Sequence, residues 1–107
     1  MALCWVKAGI CGQETTVEVR KTSQTKAKVS CITTCKYVQA LSEELLELDI
    51  GSEMTKPMIE TRTYTLAARH LCRNSCIVPA AILKAVEAAA GIFLPEPCAI
   101  EFVEGAV

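Results

Sequence analysis

Two neighbouring stretches, TTVEVR (15–20) and KAKVSCI (26–32), alternate apolar and polar residues at each step. A strand turns successive side chains to opposite faces, so this period of two describes strands with one face in a core and one in water. Val17 and Val19 fall on one face of the first stretch, with Glu18 and Arg20 opposite. Ala27, Val29 and Cys31 fall on one face of the second, with Lys26, Lys28 and Ser30 opposite. WVKAGI (5–10) reads the same way, with Val6, Ala8 and Ile10 inward, and turns are expected near GQET and TSQT. One-sided alternation is the mark of antiparallel sheets, and a sheet with one apolar face needs a second layer to cover it.

Helical spacing supplies that layer. In TTCKYVQALSEELLEL, Val38, Leu41, Leu45 and Leu48 recur every three to four residues, with Thr33 or Thr34 as the expected N-cap. The acidic end of this segment (Glu43, Glu44, Glu47, Asp49) reads as a solvated outer face. DIGSEMTKPMIE reads as an irregular connection. TYTLAARHLCR reads as a short helix capped by Thr63, with Tyr64, Ala67, Ala68 and Leu71 inward. PAAILKAVEAAAGIFLP is the clearest helix: Pro79 suits its first turn, Ile82, Leu83, Val86 and Ala90 form its apolar side, and Gly91 stops it. CAIEFVE then alternates again and is expected to rejoin the sheet with Cys98, Ile100 and Phe102 inward. The expected fold is α+β: two layers, a mostly antiparallel four-stranded sheet with about three helices on one face, in the order β-β-β-α-α-α-β. The 107 residues suffice for a single domain, 1–107, and 51% apolar residues suffice for its core.

Net charge is −1, which gives no electrostatic footprint for nucleic acid or an anionic membrane. Arg20, Lys21, Lys26 and Lys28 lie near Glu14 and Glu18 and read as a solvated hairpin tip. No stretch approaches the roughly 20 apolar residues of a membrane span. MALCWVKAG is too soon interrupted by Lys7 and Gly9 to act as a signal sequence, so a cytoplasmic protein with reduced thiols is expected. Trp5, on the polar face of the sheet, marks a candidate contact for a homo-oligomer.

Seven cysteines remain to be assigned, an odd number that cannot pair off completely. Cys4, Cys31 and Cys98 share strand faces with apolar residues and are expected to pack as small hydrophobes. Cys11 lies in GICG beyond a strand, Cys35 opens a helix, and Cys76 precedes the Pro79 helix. Helix starts favour thiolates, the form that both metals and thiol chemistry require. His70 and Cys72 fall about 160° apart around a regular helix, so both join one site only where that helix ends between them. The candidate ligands are therefore Cys11, Cys35 and Cys76, with His70 or Cys72 supplementary, for zinc or an iron–sulfur cluster. Two other readings stay open: a thiol-redox protein using the same residues, and an interaction module whose cysteines only pack. CxxxC occurs twice (Cys31/Cys35 and Cys72/Cys76), but the paired CxxC of structural zinc, the P-loop and the dinucleotide fingerprint are absent. No orienting group completes a Cys–His nucleophile, so the balance leans away from an enzyme.

AGICG, CKYVQAL and CIVPAAILKAVEAAAGIFLP together resemble a family of small cysteine-containing proteins of anaerobic bacteria and methanogenic archaea with no assigned activity. Its pattern runs G-I-C-G, a cysteine leading a helix, C-x-V-P, K-A-x-E and G-x-x-L-P. The resemblance covers nearly the whole chain, and its motif cysteines fall on Cys11, Cys35 and Cys76. A histidine near the third cysteine also belongs to the pattern, and His70 is the histidine of this chain. The resemblance implies an anaerobic setting, which favours thiolate–metal chemistry, and implies no reaction.

Overall fold

A computed structural model describes residues 1–105. Three strands, β1 (Ala2–Lys7), β2 (Glu14–Lys21) and β3 (Lys26–Thr33), form an antiparallel meander. Helix α1 (Lys36–Leu45) follows, then a short strand β4 (Glu47–Asp49), then α2 (Ile50–Thr55), a single 3-10 turn (Met58–Glu60), α3 (Arg62–His70) and α4 (Val78–Ala89). The sheet runs β1-β2-β3-β4, antiparallel throughout, so β1 and β4 are its edges. This is the expected α+β, two-layer architecture.

Strand parity holds in β2 and β3: Val17, Val19, Ala27, Val29 and Cys31 are all buried. Helix α4 packs over β1 and β2, α1 packs over β3, and α3 lies against both helices. Their contributions to the core are Val38, Leu41 and Leu45 from α1, Leu66 and Ala67 from α3, and Val78, Ala81, Ile82, Ala85 and Val86 from α4. Burying each large aliphatic side chain contributes about 1.5–3 kcal/mol, so this shared core holds the layers together. Pro79 sits in the first turn of α4, and Gly91, at φ +75°, follows its end.

Several elements differ from expectation. The fourth strand is β4, not the C-terminal CAIEFVE. Leu48 satisfies helical spacing, but Leu46 adopts φ +49° and turns the chain out of α1, and Leu48 is then buried opposite Ala27 in the sheet. Asp49 leaves the acidic face and caps α2, its Oδ1 accepting from the Ser52 N–H at 2.9 Å. The order is therefore β-β-β-α-β-α-α-α. Strand β1 ends at Lys7; Ile10 is 93% exposed in a turn closed by the Gly12 N–H on the Gly9 carbonyl. In α3 the cap is Thr61; Ala67 is buried as expected, together with Thr63 and Leu66, while Tyr64 and Leu71 are half-buried and Ala68 is exposed. Residues 98–103 carry no regular structure, and Cys98, Ile100 and Phe102 are exposed; Pro95 and Pro97, just ahead, lack the backbone N–H a sheet ladder needs. No helix among the described residues is long and apolar enough to cross a membrane.

Candidate functional site

The end of the sheet where β1 leaves and β2 enters is stitched to the end of β3. The Thr34 N–H donates to the Glu14 carbonyl at 3.2 Å, and the Glu14 N–H donates to Thr34 Oγ1 at 3.2 Å. Thr34 Oγ1 in turn donates to Gln13 Oε1 at 2.6 Å, and Thr15 and Thr33 share a hydroxyl contact at 2.7 Å. These bonds hold the Gly9–Gly12 turn beside the β3–α1 junction. Both glycines take positive φ, +91° and +72°, which side-chain-bearing residues seldom adopt, and the turn they make presents Cys11 to solvent.

Cys35 is itself the N-cap of α1, with extended φ/ψ and no side-chain capping bond, so its thiol is not used to satisfy the helix. Its backbone N–H is taken by Thr33 Oγ1 at 3.1 Å. Cys76 precedes α4 and is half-buried against the core. Burial pushes its pKa up, and the Val78 N–H at the helix start pulls it partly back. The remaining causes locate its neighbours: negative charge on Cys35, Cys11 or Cys72 raises the Cys76 pKa further. Cys11, Cys35, Cys72 and Cys76 come from three separate connections, β1–β2, β3–α1 and α3–α4. Among the described residues no group of three or more His, Cys, Asp or Glu side chains is already set as a metal-ligand cage, so the thiols are neighbours without being a closed ligand set.

His70 lies elsewhere. It is the last residue of α3, and its Nε2 meets Glu44 Oε1 of α1 at 2.5 Å. Leu71 then turns extended (φ −79°, ψ 143°), ending the helix between His70 and Cys72 and leaving Cys72 to go with the thiols. Arg69 joins the same carboxylate at 2.6 Å, and the Glu44 pKa is held low, chiefly by the His70 hydrogen bond.

The other cysteines stay apart. Cys31 is buried in the core, and its pKa is raised by burial. Cys4 is half-buried on β1, its pKa raised by burial and then by Cys98, while Lys84 lowers it. Cys98 is exposed, so only Cys31 and Cys4 fill the packing role expected of all three.

A cavity of about 430 Å³ opens between α2 and α3, lined by Glu44, Glu53, Lys56, Arg62 and Arg69 among others. Glu44, Glu53, Arg62 and Arg69 are engaged within the fold. Buried Glu53 accepts from the Arg62 N–H (2.7 Å), the Thr63 N–H (3.1 Å) and the Thr63 hydroxyl (2.8 Å). The Arg62 guanidinium donates to the Glu44 carbonyl at the end of α1, at 2.8 Å. Sequence reading missed Glu53 because its segment looks irregular; the available signal was Asp49 as a helix cap immediately ahead of IGSEM.

The chain belongs to DUF6951, a family of unknown function, whose model matches residues 3–102. No curated protein and no solved structure gives a significant match.

Proposed function

We propose that Cys11, Cys35, Cys72 and Cys76 bind a thiophilic metal centre, a zinc ion or an iron–sulfur cluster. The observation that carries this reading is the set of Gln13 and Glu14 bonds to Thr34, which holds the Cys11 turn beside Cys35 at the start of α1, with the Cys76 pKa raised further by negative charge on either thiol. Burial and mutual repulsion disfavour several thiolates in an empty site, and a cation placed among them reverses both effects. Four soft sulfur donors suit zinc or iron–sulfur chemistry. Cys11 and Cys72, exposed on loops, are the ligands that move inward on binding. A thiol-redox role is less well supported, because a raised pKa leaves Cys76 protonated at neutral pH and weakens it as a nucleophile. Such a site belongs in a reducing, cytoplasmic compartment.

Anaerobic reconstitution with zinc, and in parallel with ferrous iron and sulfide, tests the reading. Retention of zinc, or of iron and sulfide in equal amounts, is expected after desalting, with loss in Cys35→Ser and Cys76→Ser. No retained metal, or the same retention when all four cysteines are serine, contradicts it.

A second reading is favoured by the outer sheet face, where Leu3, Trp5 and Ile32 are 63%, 66% and 72% exposed, and Trp5 and Ile32 share one row through Thr16. Exposed large apolar groups on a flat face fit a homo-oligomeric contact. Ile32→Lys decides it: loss of association assigns the contact to this face, and unchanged mass excludes the face.

A further inference from the structure

Residues 98–103 hold strand-like alternation without a strand to pair with. Ile100, Phe102 and Val103 are 81%, 102% and 75% exposed, so this apolar arm rests on nothing in its own chain. Among the described residues no backbone hydrogen bond joins 97–105 to the body. Pro95 and Pro97 fix their own φ and donate no backbone hydrogen bond, and the Glu96 N–H closes a tight turn on the Leu94 carbonyl at 2.8 Å, so the lead-in to the arm bonds to itself and not to the sheet. At the other side of the same region, β1 is an edge strand with one row of backbone groups unpaired, the usual template for another chain.

We infer that the arm Cys98–Val103 of one copy pairs along the free edge of β1 in a second copy, and that reciprocal exchange makes a two-fold dimer. Three features select a second copy as the occupant. The arm follows α4, which packs over β1, so a two-fold axis next to that edge carries each arm onto its neighbour. The core is open along that edge, where Ala2 and Cys4 are only partly buried, and Ile100 and Phe102 supply the missing cover. By strand alternation Glu101 shares the outer face with Lys7 at the end of β1, so the acidic arm (Glu101, Glu104) meets a basic group on that edge. The family match from residue 3 to 102 takes in both β1 and the arm through Phe102, so both belong to the domain. The inference goes beyond the oligomeric reading above by placing the contact at the strand edge instead of the sheet face. It is independent of the thiol site.

Molar mass by light scattering on the full chain, under reducing conditions, tests it. The wild type is expected at twice 11.6 kDa. The Ile100→Asp/Phe102→Asp variant is expected as a monomer, with a dissociation constant raised at least about tenfold. It stays folded by circular dichroism, because neither side chain packs in the single chain. Lys7→Glu is expected to weaken the dimer, and Glu101→Lys in the same chain to restore it. Ile32→Lys, on the sheet face away from this edge, is expected to leave the dimer intact. A monomeric wild type overturns the inference. So does a dimer that survives the Ile100/Phe102 substitutions, and its loss in Ile32→Lys then assigns the contact to the sheet face.

Discussion

His70 Nε2 meets Glu44 Oε1 at 2.5 Å, joining the last residue of α3 to α1. The pairing accounts for the histidine of the chain without the thiols. It also gives stability a pH dependence. The Glu44 pKa is lowered in the fold, first by the His70 hydrogen bond and then by Arg69. A lowered carboxyl pKa contributes stability above the unfolded value of about 4.3, and that contribution is lost as pH falls through the folded value. Glu44→Gln is therefore expected to melt below wild type at pH 7 and together with it at strongly acidic pH. Equal melting temperatures at pH 7 contradict this. His70→Ala is expected to leave metal retention unchanged.

Glu53 is buried and accepts the first two amides of α3 together with the Thr63 hydroxyl. Truncation leaves those donors without a partner. Glu53→Ala is expected to cost about 2–3 kcal/mol in denaturant unfolding, and Glu53→Gln, which keeps one acceptor oxygen, about 1 kcal/mol. Equal losses contradict the hydrogen-bonding account.

Leu46 takes φ +49°, a region that side chains with a Cβ enter at a cost, while its carbonyl accepts from the Val29 N–H at 2.7 Å. Its side chain is 55% exposed, so little packing opposes replacement. Leu46→Gly is expected to be stabilising by about 1 kcal/mol, read as a raised denaturation midpoint with unchanged slope. A lowered midpoint contradicts it.

Alkylation at neutral pH is expected to rank the thiols. Cys11, Cys72 and Cys98 are exposed and label first. Cys4 and Cys76, half-buried with raised pKa, follow, and Cys31, buried in the core, labels last. Peptide mass spectrometry over a time course reads the order. Cys76 labelling first would favour the thiol-redox reading.

The sequence carried the sheet in Val17, Val19, Ala27, Val29 and Cys31, and the last helix between Pro79 and Gly91, because these signals are local. It misassigned Leu48, which fits a helix by spacing and a strand by pairing, and only the backbone reversal at Leu46 separates the two. The alternation in 98–103 is present, but the segment pairs with no strand among the described residues. That Cys11, Cys35 and Cys76 sit at the ends of elements was legible in the strand parity and the helix starts. The place of Cys72 was left to where α3 ends, and α3 stops at His70. The pairing of His70 with Glu44 was hidden as well: it is a contact between two helices, and no spacing announces it.

Anaerobic titration with cobalt(II) tests the thiol site most directly, since thiolate ligation gives an intense near-ultraviolet charge-transfer band that scales with the number of thiolates. A saturable band with the strength of three to four thiolates is expected in the wild type, weakened in Cys72→Ser and abolished when Cys35 and Cys76 are both serine. A wild-type spectrum without that band, or one unchanged by the loss of Cys35 and Cys76, contradicts a metal centre at this end of the sheet.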